Sequence, residues 1–480
     1  MPTTLVWFRQ DLRVDDNPAL ADAARRGAVV PVYILDDATP GDWAIGGAGR
    51  WWLQESLAVL DDRLTAMGAP LTVLGGPPEA ALEALAAATG ADGLVWNRCY
   101  EPFAIARDAA IKAAFEARGF AVWSCNGALL FEPWTIATKN GDAYKVYTPF
   151  SKACLNAPRP RRPLETPRRL HAPKVPSTRF EVSRQWCPAT ADWVRGLETS
   201  WRPGLSFAIK DLNSFIEDKV EEYGDSRDRP DRRGTSELSP RLHWGELSPH
   251  QVWHAAMAAC GGEAALDPGR GSEVFLKELI WREFGYHILY HFPDLPEEPL
   301  NPRFRDFPWA DDEAMRNAWR FARTGYPIVD AGMRQLRRTG WMHNRVRMIV
   351  GSFLVKDLLE HWRHGAAWFW DNLVDADLAS NTLGWQWVGG CGPDAAPYFR
   401  VFNPVKQGER FDPEGAYVCR WVPELAELPL EHLHRPWTAP EATLRAAGVR
   451  LGESYPRPIV DHGAARQRAL NAFARIKQAA

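Results

Sequence analysis

Four short apolar runs, Thr4–Phe8, Val29–Leu35, Leu71–Leu74 and Leu94–Trp96, alternate near the amino terminus with helical periodicity around Asn17–Arg26, Arg50–Met67, Glu79–Thr89 and Ile105–Arg118. Runs that are apolar at nearly every position read as strands buried on both faces, and parallel strands require crossover helices between them. Residues 1–130 are therefore expected to form a doubly wound, parallel α/β domain. No GxGxxG follows the first strand. Gly46, Gly47 and Gly49 read as a loop, so the fold here does not imply a dinucleotide.

From Phe131 to Arg202 the periodicity dissolves into proline and arginine (PRPRRPLETPRRLHAPKVP), which reads as an interdomain linker. Residues 203–480 are dominated by helical patterns broken at Pro and Gly, and are expected to be all-α. A length of 480 residues suits this division into two or three units. Arg9, Asp11 and Arg13 fall where a signal peptide needs an apolar core, and no run of about 18 apolar residues occurs. No membrane association is expected. Seven cysteines at irregular spacing, with no CxxC, fit a reducing cytoplasm.

A net charge of −3 does not announce a nucleic-acid protein, but distribution matters more than the total. Basic residues gather at Arg159, Arg161, Arg162, Arg168 and Arg169, and again from Arg334 to Arg347. The first group reads equally well as solvated linker. His361 and His364 form an HxxH step without a third ligand at suitable spacing, which reads as a helix end and no metal site.

Two segments carry the chemistry: WMHNRVR (Trp341–Arg347) and DADLASNTLGWQW (Asp375–Trp387). Both place charges, amides and tryptophans in stretches that otherwise read as buried helix. An unpaired buried charge costs several kcal/mol, so Arg345, Arg347, Asp375 and Asp377 must pair or face something polar, such as a large cofactor. The chain has 23 tryptophans, more than a core of this size needs, and indole is among the few side chains that can lose an electron. A redox or light-driven protein is the first expectation.

Five segments in register, VWFRQDLRVDDNP (Val6–Pro18), TSELSPRLHWGELSP (Thr235–Pro249), ELIWREF (Glu278–Phe284), Trp341–Met348 and Asp375–Trp387, resemble the DNA photolyase/cryptochrome family across essentially the whole chain. The resemblance implies that the all-α part is an FAD-binding domain. Thr235, Ser236 and Ser239, with Glu237 and Leu238 between them, would offer hydroxyls and free N–H groups to the pyrophosphate at a helix start. Tyr223, Arg282, Asn344 and Ala376 match further flavin contacts, and Phe275 is carried with them as a departure, standing where some members have tryptophan at the flavin. Arg347 and Asp375 match an ion pair against the isoalloxazine ring, and Asp377 a contact beside it. Asn381 matches the asparagine that photolyases place at flavin N5, where plant cryptochromes carry aspartate. Taken alone, it would be a turn residue in SNTLG.

Glu278, Trp281 and Arg282 share one helical face. By resemblance that face lines a lesion cavity, with Trp281 stacking on the flipped pyrimidine dimer, Trp387 opposite, and Glu278 hydrogen-bonding the dimer. A carboxyl beside Trp281 and Met348 should be desolvated and its pKa raised. Alone, the pattern would be a surface pair of Glu278 with Arg282. Met348 matches cyclobutane-dimer photolyases, where (6-4) photolyases carry histidine. Arg227, Arg345 and Gln407, with Arg282 and Asn344, match DNA-contacting positions. Trp385, Trp362 and Trp309 match the electron-transfer triad, with Trp319 and Trp368 left to packing.

The segments Leu242–Glu246 and Arg50–Trp52 resemble the class III branch, close to plant cryptochromes. Pro102-Phe103-Ala104 replaces the Asn-Glu pair of the best-known folate-binding members, so the antenna is carried as methenyltetrahydrofolate or deazaflavin without an assigned site. The function implied is light-driven repair of cyclobutane pyrimidine dimers in damaged DNA by a monomeric flavoenzyme. A cryptochrome photoreceptor or a (6-4) photolyase is the alternative.

Overall fold

The computed structural model describes residues 1–173, 191–394 and 399–478. Five strands, one more than the apolar runs suggest, form a fully parallel sheet: β1 (Thr3–Phe8), β2 (Ala28–Leu35), β3 (Thr72–Gly75), β4 (Gly93–Asn97) and β5 (Ala121–Cys125). Their order is β3-β2-β1-β4-β5. The additional strand, β5, is the partly exposed edge (AVWSC), so it lacks the continuous apolar run that marks the others.

The pleat sorts side chains onto two faces. Val6 and Phe8 join Leu20, Trp52 and Leu57 from α1 (Pro18–Arg26) and α2 (Gly47–Met67). Leu5 and Trp7 join Leu82, Leu85, Ile111 and Phe115 from α3 (Pro78–Thr89) and α4 (Pro102–Ala117). Asn17 starts α1 by accepting the Leu20 N–H at 3.0 Å, with Pro18 at the first helical position. Gly46, Gly47 and Gly49 are not a loop: Gly46 is the N-cap of α2, and the other two lie in its first turn.

The stretch 131–202 is more than a linker. It contains α5 (Tyr147–Asn156) and α6 (Ala191–Ser200). Two members of its basic cluster are paired, Arg161 with the buried Asp16 at 2.5 Å and Arg159 with Glu263 at the surface at 2.5 Å, while Arg162, Arg168 and Arg169 are exposed. The helical part begins with α7 (Leu205–Asp218), α8 (Tyr223–Ser226), α9 (Ser239–His243), α10 (Pro249–Ala259) and α11 (Gly271–His291). It continues through α12 (Glu313–Arg320), α13 (Pro327–Thr339), α14 (Asn344–Ser352), α15 (Trp362–Asn372), α16 (Leu378–Gly389) and α17 (Pro404–Phe411). A large core gathers Trp319, Met342, Phe353, Trp362 and Trp385 from these helices and the turns between them. Among the described residues no helix is long and apolar enough to cross a membrane.

Two buried polar knots join the sheet domain to the helices. Arg13, 1% exposed, donates to the carbonyls of Gly245 (2.9 Å), Asp16 (3.0 Å) and Gly127 (2.6 Å). The Leu12 N–H donates to Trp244 O at 3.0 Å alongside. The chain passes so closely here that a Cβ on Gly245, at φ +66°, would lie 2.2 Å from Gln10 O. Glu246, fully buried, accepts from Trp52 Nε1 (3.1 Å), Ser56 Oγ (2.5 Å), Gly204 N (2.7 Å) and Arg241 (2.6 Å).

A third link has a pH signature. Glu283 on α11, 3% exposed, accepts the Phe131 N–H at 3.0 Å. Burial raises its pKa to about 7, against the charge of Arg282 and the backbone donors. The protonated form is thus the one favoured by folding. Its stabilisation is complete below the ordinary carboxyl range and is lost as pH rises toward and past 7. The loss is on the order of 3 kcal/mol. Measured by denaturant unfolding, the stability of Glu283→Gln relative to wild type should rise by about that amount between pH 4.5 and 8. A pH-independent difference would refute the assignment.

Candidate active site

Helices α11, α14, α15 and α16 surround a cavity of about 570 Å³, within the range of ligand pockets. α11 contributes Glu278, Trp281 and Arg282, successive members of one face. α14 contributes Asn344, Arg345, Arg347 and Met348, and the turn after α15 contributes Asp375, Ala376 and Asp377. α16 contributes Asn381, Trp385 and Trp387, and Ser239 comes from the start of α9. Residues more than 100 positions apart in sequence thus converge on one concavity.

The charges within it are organised. Arg347 Nη2 donates to Asp375 Oδ2 at 2.8 Å and to Oδ1 at 3.1 Å, while its Nε donates to Met342 O at 2.7 Å. Ser239 Oγ donates to Asp375 Oδ2 at 2.6 Å. Asp377 caps α16 by accepting the Ser380 N–H at 2.8 Å, and it also accepts from the Tyr286 hydroxyl. Burial opposes its charge, but the hydrogen bond and charge of His243, with Arg282 and Tyr286, hold it well below the usual carboxylate range. Asp377 is therefore a fixed anion. Asn381 belongs to α16 rather than to a turn, and its Nδ2 donates to Ala366 O at 3.1 Å, leaving Oδ1 as the free end of the amide.

Glu278 pairs with Arg227 rather than with Arg282. Burial raises its pKa, against the charge and hydrogen bond of Arg227. Arg282 instead donates to Ala128 O at 2.8 Å. Trp281 lies on the cavity, and its ring stacks on Tyr147 with centroids 3.5 Å apart and planes within 6°.

Several expected residues lie outside the cavity wall. Thr235, Ser236, Glu237 and Leu238 form the turn that delivers Ser239, and Glu237 takes the left-handed backbone region at φ +54°. The α9 start is short, a single turn of five residues. Tyr223 and Phe275 pack on one another at 5.6 Å in the apolar layer behind Arg227. Gln407, on α17, lines an adjoining groove with Arg345, Arg400, Lys406 and Arg410. Arg345 borders both spaces and is held by Asp228 at 2.7 Å.

Trp385 is a cavity residue, whereas Trp362 is buried in the core and Trp309 half-buried. The ring of His361 contacts both Trp309 (5.0 Å) and Trp362 (5.4 Å). A Cβ on Gly365 would fall 2.1 Å from the Trp385 ring, so glycine lets α15 lie directly against that indole. Trp319 is core, as read from the sequence, but its edge also meets Trp385 at 6.2 Å. His361 Nδ1 caps α15 by accepting the Arg363 N–H. His364 does approach Asp311 and Glu360, but Arg316 already pairs with both carboxylates at 2.6 Å.

Sequence reasoning missed Phe369, Leu373 and Asp394 on the cavity wall, and Tyr286 and His243 behind Asp377. It also left open a second crevice, at the carboxyl ends of β1 and β4, where open α/β sheets ordinarily bind ligands. Arg9, Asp36, Trp43, Glu101, Phe103 and Trp370 line it. Its volume is about 90 Å³.

The family model described as "DNA photolyase" matches residues 4–168, and that described as "FAD binding domain of DNA photolyase" matches residues 275–475. A deoxyribodipyrimidine photo-lyase of Agrobacterium fabrum is 48% identical over 99% of this chain and 98% of its own. Cryptochrome-1 of Arabidopsis thaliana is 40% identical over 99% of this chain and 70% of its own. The crystal structure of a bacterial class III photolyase from Agrobacterium tumefaciens superposes with a TM-score of 0.94 at 47% identity, covering 100% of this chain and 98% of that one.

Proposed function

Because the chain belongs to the DNA photolyase/cryptochrome family and sits on its photolyase side, we propose that it repairs cyclobutane pyrimidine dimers in DNA under blue or near-ultraviolet light. The observation that carries this reading is the single cavity in which Asn381, the Arg347–Asp375 pair and the Glu278–Trp281–Met348 wall face a common space. The donor set fits FAD. Ser239 and Asn344 would hold phosphates, the Arg347–Asp375 pair would lie against the ring system, and Asn381 would offer its amide to it. FAD, reduced and excited, would supply the electron that splits the dimer and takes it back, with no net redox change.

The residues do the rest. Trp281 and Trp387 would wall an extruded dimer, offsetting through stacking the few kcal/mol that extrusion costs. Glu278, with its raised pKa, would hold a proton toward the dimer carbonyl. The basic groove of Arg345, Arg400, Lys406 and Arg410, contiguous with the cavity at Arg345, would take the phosphate backbone. Trp385, Trp362 and Trp309 would return electrons from the surface to oxidised flavin.

The test uses anaerobically reduced protein and an oligonucleotide with one defined thymine cyclobutane dimer, with a dark control and a (6-4) substrate in parallel. Light-dependent recovery on the cyclobutane substrate alone is expected. No recovery on either, with FAD bound and reducible, would place the chain with its cryptochrome relatives as a photoreceptor. A Trp309→Phe variant should photoreduce oxidised FAD at least tenfold more slowly, yet repair normally once chemically reduced. Loss of repair in that reduced enzyme would contradict the triad.

A further inference from the structure

We infer that Tyr147 is a positioning residue for the lesion wall: it fixes the plane of Trp281 from behind. The inference rests on the repair reading above. Tyr147 is buried and is not among the cavity-lining residues, whereas Trp281 is, so Trp281 stands between Tyr147 and the cavity. The two rings overlap face to face, 3.5 Å apart and within 6° of parallel. Aromatic pairs left to themselves prefer offset or edge-on geometries with centroids 4.5–7 Å apart. The overlap is therefore imposed from outside the pair, and two hydrogen bonds impose it.

The first is from the Tyr147 hydroxyl to the carbonyl of Lys277 at 2.8 Å. Lys277 lies four residues before Trp281 on α11, so this carbonyl is the one toward which, by helix geometry, the Trp281 amide points. The tyrosine is thus tethered to the same helical turn that carries the tryptophan. The second is from the Tyr147 backbone N–H to Asp394 Oδ1 at 3.1 Å. Asp394, itself on the cavity wall, returns its own N–H to Lys145 O at 3.1 Å. α5 therefore begins locked both to α11 and to the far rim.

A tryptophan on a cavity wall can turn about its second side-chain torsion, whose well is broad. With Tyr147 flush against one face, only one ring plane remains, and the other face is presented to whatever enters. An entering planar base then stacks on a surface already oriented, and the ordering cost is met in advance.

Three proteins decide it: wild type, Tyr147→Phe and Tyr147→Met, each with bound FAD. The readouts are affinity for dimer-containing and undamaged oligonucleotides, flavin content, and repair yield at saturating substrate. Tyr147→Met should weaken lesion binding roughly tenfold, within the range of one lost base–aromatic stack. Undamaged-DNA affinity, flavin content and saturated yield should stay within twofold. Tyr147→Phe, which keeps the ring but loses the tether to Lys277, should fall between. Equal losses on damaged and undamaged DNA, or lost flavin, would mark a merely structural role and overturn the inference. So would lesion binding by Tyr147→Met equal to wild type. If wild type itself fails to prefer damaged DNA, the repair reading fails instead.

Discussion

Arg347→Ala should strip the protein of its flavin. Asp375 is 2% exposed at its side chain, and its two oxygens are satisfied by Nη2 of Arg347 and by the Ser239 hydroxyl. Removing the arginine leaves a buried carboxylate with one neutral donor, and breaking such a pair costs about 3–5 kcal/mol. Arg347 is partly exposed, which screens some of this, so about 3 kcal/mol is the working figure. That corresponds to roughly a hundredfold weaker binding. Arg347→Lys should be intermediate, because an ammonium keeps the charge but cannot reach Asp375 and the Met342 carbonyl from two separate nitrogens. The flavin-to-protein absorbance ratio after gel filtration, followed by titration of the apoprotein with FAD, measures both. Full flavin retention in the alanine variant would remove the pair from the cofactor site.

Glu278→Ala should lower the repair yield per absorbed photon about tenfold while leaving flavin content unchanged. A preorganised donor aimed at developing negative charge is worth at least that much in a desolvated site. Glu278→Gln, which keeps a donor without a titratable proton, should recover part of the loss. The two also differ in pH dependence. Burial raises the Glu278 pKa, and the proposed role needs the proton in place. Wild-type yield should therefore decline as pH rises through that value, whereas the glutamine variant should be flat. An alanine variant that repairs like wild type would end the assignment, and a glutamine variant with the wild-type pH profile would move the titration elsewhere.

Both substitutions fall on residues that the sequence marks openly, because charges and amides in otherwise buried helix must have partners. The first four strands are legible for the mirror-image reason, each carrying an apolar run that is largely buried. β5 is not, since AVWSC is partly exposed along its whole length and carries no such run. α5 hides for a different cause: its residues abut a proline- and arginine-rich run whose composition dominates any local window. The cavity follows the same division. Arg347, Asp375 and Asn381 stand out in their segments. Phe369, Leu373, Tyr286 and Tyr147 carry no local mark, since an apolar or aromatic residue looks alike whether it fills a core or backs a functional ring. Only the packing of α11 against α5 and α16 separates those cases. Thr235 to Leu238 show the converse, a motif that is legible while only its last neighbour, Ser239, reaches the wall.

The knots at Arg13 and Glu246 bear on how such a chain can be recombined. Each is made half from the first domain and half from the segment Arg241–Ser248, deep in the helical one. A chimera that exchanged residues 1–130 for those of a relative would set a foreign loop against Gly245 and a foreign helix against Glu246. Neither graft could be repaired by moving a surface. The heritable module in this architecture is therefore the sheet domain together with an eight-residue piece lying more than a hundred positions downstream.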